Sequence, residues 1–67
     1  MRESKELKIA ARYRQRAAQL RAAAAENVPE EAREKLLNSA ADYERGAAMM
    51  VSIDETKKEL ARFKISS

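Results

Sequence analysis

The chain has 67 residues, no Cys and no His, 37 % charged side chains and a formal net charge of +3. One domain, residues 1–67, is the upper bound at this length, and a chain so short ordinarily needs disulfides, a metal or oligomerisation to be stable. Without Cys or His there is no disulfide and no thiolate or imidazole metal site, so oligomerisation is the expected remedy.

The composition, with one Gly, one Pro and 45 % hydrophobic residues rich in Ala, is that of an all-α protein. A first helix is expected over about 2–26, where only good helix formers occur. Leu7, Ala10, Tyr13, Ala17, Leu20 and Ala24 alternate spacings of three and four, which puts them on one stripe. Next comes Asn27-Val28-Pro29. Asn27 suits an N-cap, Glu30 completes a capping box with it, and Pro29 suits a first turn. A second helix is therefore expected over about 29–51, with Ala32, Leu36, Ala40, Tyr43, Ala47 and Met50 on its stripe.

The two stripes read as mirror images. Folding the chain between them sets Tyr13 against Tyr43, Leu20 against Leu36 and Ala24 against Ala32, the arithmetic of an antiparallel helical hairpin with a short connection. The same arithmetic sets Arg14 opposite Glu44, Arg21 opposite Leu37 and Ile9 opposite Gly46, where a missing side chain leaves room for a large one. Beyond Met50 the stripe reaches Asp54 and the apolar residues move to another face. Ser52 with Glu55 offers another capping box beside the β-branched Val51 and Ile53, so a bend near Ser52 and a short third helix over about 53–64 are expected. The alternative is one uninterrupted helix from Pro29 to Lys64.

Charge is sorted along the chain. Residues 2–25 carry seven basic and two acidic side chains (+5), residues 26–55 three and eight (−5), and residues 56–67 four and one (+3). An acidic helix between two basic segments favours folding back.

Nothing in the sequence supports catalysis, since neither His, Cys nor a Gly-rich phosphate loop is present. No enzyme, cofactor or metal site is expected. Lys5, Lys8, Arg12 and Arg16 share a face and are candidate phosphate contacts. No aromatic interleaves them, however, so a solvated basic face is preferred. Tyr13 and Tyr43 read as hairpin core with hydroxyls at the rim. Met50 reads as seam and Met49 as partly exposed packing.

The longest uncharged run, Gly46 to Ile53, is far short of the roughly 20 residues of a bilayer span, and no apolar core follows the basic N-terminus as in a signal peptide. No membrane partner and a cytoplasmic location are therefore expected.

Tyr13-Arg14-Gln15-Arg16-Ala17 together with Leu36-Leu37-Asn38-Ser39-Ala40-Ala41-Asp42-Tyr43-Glu44 resembles a class of short, uncharacterised alphaproteobacterial proteins over roughly residues 10 to 48. The resemblance implies a helical hairpin and brings no activity or functional residues. The expected function is a non-enzymatic helical interaction module. It self-associates, most simply as a homodimer completing a helical bundle, or acts as a small inhibitor or adaptor of a protein partner. Leu37, Val51, Ile53, Leu60 and Phe63 are its candidate interface. The alternative is a nucleic-acid-binding accessory that uses the basic first helix and the basic C-terminal segment.

Overall fold

The computed structural model describes residues 4–66 and contains two packed helices, α1 (Lys5–Ala24) and α2 (Glu30–Ser66). They form a hairpin. Positions 2 and 3 of the expected first helix lie outside the described residues.

Ser4 starts α1. Its extended backbone turns the chain into the helix, and its hydroxyl accepts from the Leu7 N–H at 3.1 Å, satisfying one of the donors that a helix start leaves open. The helix ends two residues earlier than the sequence suggests. Ala25 donates to the carbonyls of Arg21 and Ala22, so the last turn tightens without any left-handed residue. A further open carbonyl, that of Ala24, accepts from Nε of Arg33 at 3.1 Å. Arg33, in the first turns of α2, thereby ties the end of one helix to the beginning of the next.

The N-cap expectation for Asn27 is not met. The first bond of α2 runs from the Arg33 N–H to the Pro29 carbonyl, so Pro29 holds the half-in position and Asn27 lies two residues outside it. Pro29 suits this place because its fixed φ is already helix-compatible and it has no N–H to leave open.

The larger correction concerns residues 51–53. There is no bend and no third helix, because α2 runs unbroken for 37 residues. Breaking at Ser52 would exchange ladder hydrogen bonds for one cap and require a fresh helix nucleus, which is unfavourable. With neither Gly nor Pro between Ala47 and Lys64, nothing forces that exchange. The consequence is unequal length. At about 1.5 Å per residue α2 is roughly 55 Å long and α1 roughly 30 Å, in keeping with a longest dimension of 58 Å.

Ala10, Ala17 and Ala24 of α1 are buried, as are Ala40 and Ala47 of α2. Each set repeats every seven residues, and a methyl group at every such position lets the two backbones approach closely. Leu7, Tyr13, Leu20, Ala32, Leu36, Tyr43 and Met50 flank this line half-buried. The rings of Tyr13 and Tyr43 meet edge to face, with centroids 5.6 Å apart and planes at 63°.

Facing pairs of long side chains depart from the simple mirror arithmetic. Arg21, not Arg14, forms the ion pair with Glu44, and Lys57 pairs with Glu6. The ring of Tyr13, rather than Ile9, fills the space over Gly46, where an added Cβ would lie 2.9 Å from its Cδ2. Helical side chains lean toward the N-terminus of their own helix. In an antiparallel pair the two leans oppose each other, so long side chains meet when their α-carbons are offset by up to two turns.

Candidate interaction surface

The period of seven that buries Ala40 and Ala47 reaches Asp54, which is 4 % exposed and the one buried charged residue among those described. A buried carboxylate is costly unless it is paired and hydrogen-bonded. Here it sits beside the N-terminus of α1, where the helix dipole favours negative charge. The Ser4 hydroxyl donates to it, and Lys58, one turn on, reaches its Oδ2 at 2.9 Å. These contacts, Ser4 first and Lys58 second, hold the Asp54 carboxyl below its ordinary range. Glu6 is also lowered, chiefly by its hydrogen bond from Lys57. Asp54 and Lys57 thus clamp α2 to the start of α1 and fix the direction in which the rest of α2 leaves the hairpin.

Past that clamp α1 has ended, and residues 58–66 of α2 project beyond it. Met49, Ile53, Leu60 and Phe63 are all exposed, Phe63 at 74 %. With about 100° per residue on one continuous helix, they share a stripe well away from the face that meets α1. Thr56 completes its spacing.

The expected interface residues do not form one surface. Ile53, Leu60 and Phe63 lie on this stripe together with Met49, which the sequence alone does not assign to the interface. Leu37, exposed, and Val51, half-buried, fall on the opposite flank of α2, about a third of a turn or more away.

Lys5, Lys8, Arg12 and Arg16 are all exposed and form a row on the outer side of α1, with Arg16 donating to Oε1 of Gln19 at 3.2 Å. No aromatic lies among them. A shallow open groove of about 270 Å³ lies over Tyr13, Asp42, Tyr43 and Gly46, below the roughly 300 to 1,000 Å³ usual for small-molecule sites. Among the described residues, no group of three or more Asp or Glu could hold a metal ion. None of the helices described is long and apolar enough to cross a membrane.

Comparison with protein-family models, with curated proteins and with solved structures finds no match to this chain.

Proposed function

We propose that this chain is a non-enzymatic interaction module that associates with itself through the far end of α2. The observation that carries this reading is the mismatch in helix length. On the part of α2 that outruns α1 the side chains of Leu60 and Phe63 are largely exposed, and the stripe continues back to Ile53 and Met49 along the hairpin. Exposed apolar groups in a contiguous row mark interaction sites more often than isolated ones do. Among the described residues the buried apolar side chains are all alanines, each with little apolar surface to contribute, so covering four large side chains is a substantial gain for a chain of this size.

A contact over about four helical turns lies at the small end of specific interfaces, so association with a Kd on the order of 100 µM is expected. Sedimentation equilibrium of the wild type and of Phe63→Ala over a wide concentration range tests the reading. The wild type should shift from monomer toward dimer, and the variant should remain monomeric over the same range. Equal behaviour of the two would remove Phe63 from the interface.

The second reading, nucleic-acid binding, draws on the exposed row Lys5, Lys8, Arg12 and Arg16. Binding through phosphates releases counterions and weakens steeply with salt. Titration of a labelled duplex and a labelled single strand at about 50 and 200 mM salt should show a large loss of affinity, and changing Lys5, Lys8 and Arg12 to Glu should abolish binding. Absence of binding at the lower salt would end this reading.

A further inference from the structure

We infer that the occupant of the α2 stripe is a second copy of this chain lying parallel to the first, with Glu59 of each copy paired to Lys64 of the other. This rests on the self-association just proposed and adds the orientation. Met49, Ile53, Thr56, Leu60 and Phe63 alternate spacings of four and three, which makes them the inward positions of two heptads. The residues flanking such a seam decide how two helices pair. Here Glu59 lies on one flank, immediately before Leu60, whereas Lys57 and Lys64 lie on the other, each immediately after an inward position.

In a parallel pair, the first flank of one helix meets the second flank of its partner. Glu59 then faces Lys64 of the other copy five residues further on, and the symmetry repeats the pair. In an antiparallel pair, like flanks meet. Lysine flank then faces lysine flank, Glu59 finds no opposite charge, and Thr56 is set against Ile53 or Leu60 of the other chain. The parallel arrangement instead stacks Ile53 on Ile53 and Leu60 on Leu60, and leaves one polar layer in which two Thr56 hydroxyls can bond each other.

The exposed part of the stripe, Met49, Leu60 and Phe63, lies off the face that meets α1, and its row reaches α1 only at Gly46, under the Tyr13 ring. Two hairpins can therefore join through α2 with both α1 helices outside. Toward the N-terminus the next inward positions are Gly46 and Asp42, so the apolar seam stops there. The contact is accordingly short.

Because the chain has no cysteine, single-cysteine variants report orientation directly. Met49→Cys alone under mild oxidation should form a disulfide-linked dimer, since parallel packing brings this position onto its own copy within disulfide reach. Antiparallel packing instead sets residue 49 near residue 60 when Thr56 meets Ile53, or residue 53 near residue 63 when Thr56 meets Leu60, so a disulfide found only when Met49→Cys and Leu60→Cys, or Ile53→Cys and Phe63→Cys, are mixed would overturn the parallel orientation and leave self-association standing. Monomer at every concentration, with full helicity and no disulfide in any variant, would remove both. In the charge arm, Glu59→Lys should weaken association about threefold to tenfold, as two symmetry-related surface pairs are lost. Adding Lys64→Glu should restore it. Failure of the double variant to recover would overturn the Glu59–Lys64 pairing, and circular dichroism of each variant separates lost association from lost folding.

Discussion

Gly46 shows how one missing side chain sets a contact. Alanine is a better helix former than glycine by about 1 kcal/mol, so on propensity alone Gly46→Ala would stabilise α2. Against that, the added Cβ would lie 2.9 and 3.0 Å from two ring carbons of Tyr13, which is itself held edge-on by Tyr43. Moving the ring forfeits an aromatic pair of about 0.5 to 1.5 kcal/mol and strains the packing by about 1 to 3 kcal/mol. The clash wins, and Gly46→Ala should destabilise by about 1 kcal/mol in urea unfolding. In a Tyr13→Ala background the same change should stabilise by about as much. A stabilising effect in both backgrounds would show that the ring does not occupy this space.

The carboxylates at the clamp make a prediction of definite sign. Glu6 and Asp54 are both held below the ordinary carboxyl range in the folded chain, by Lys57 and by Ser4 with Lys58 respectively. The unfolded chain therefore takes up protons more readily, and the stabilisation is fully present above the ordinary carboxyl values of about 4. It is lost as pH falls through the lower folded values. The melting temperature should be level between about pH 6 and 8 and drop below the carboxyl range, and Asp54→Asn should flatten that drop while lowering the plateau. An unchanged acid profile in Asp54→Asn would place the acid sensitivity elsewhere. Ser4→Ala removes both the cap on Leu7 and the donor to Asp54. It should cost about 1 kcal/mol, the usual value for an N-cap serine.

At the scale of the element, the hairpin was legible and the length of its second helix was not. The alternating apolar spacings and the proline-marked turn are local features, and they require two antiparallel neighbours. The buried alanines fall on the same period of seven. Ser52-x-x-Glu55 is also a local feature, but a capping box shows only that a helix could start there. Whether it does depends on what the unbroken helix gains further along, and Asp54 gains a buried place against Ser4 and the N-terminus of α1. Read from sequence alone, an aspartate at an inward position signals the end of the seam. Ser4 was itself readable as a cap, being a serine placed just before the apolar period starts. Arg33 was not, because its acceptor is a carbonyl nine residues away across the turn. Ending the chain after Lys58 tests the division of labour within α2. The hairpin contacts, including Asp54 with Lys58 and Glu6 with Lys57, remain in such a chain. It should keep its helicity per residue and melt as an isolated hairpin does, but show no association.

For the whole molecule, the stripe on α2 was half legible. Ile53, Leu60 and Phe63 stood out as apolar residues off the seam, but Leu37 and Val51 joined them only while a bend at Ser52 left their relative faces open. A straight α2 fixes the faces, moves Leu37 and Val51 to the other flank and brings in Met49. The molecule is then a short hairpin with one long arm, whose inner half is held by alanine packing and the clamp and whose outer half has apolar surface to cover. The most direct test is sedimentation equilibrium of the unmodified chain from about 5 µM to 1 mM, a range spanning the Kd expected for a small interface. Self-association through α2 predicts a mass rising from one chain toward two, with no change in helicity per residue. A single-chain mass throughout, in a fully helical sample, would contradict it.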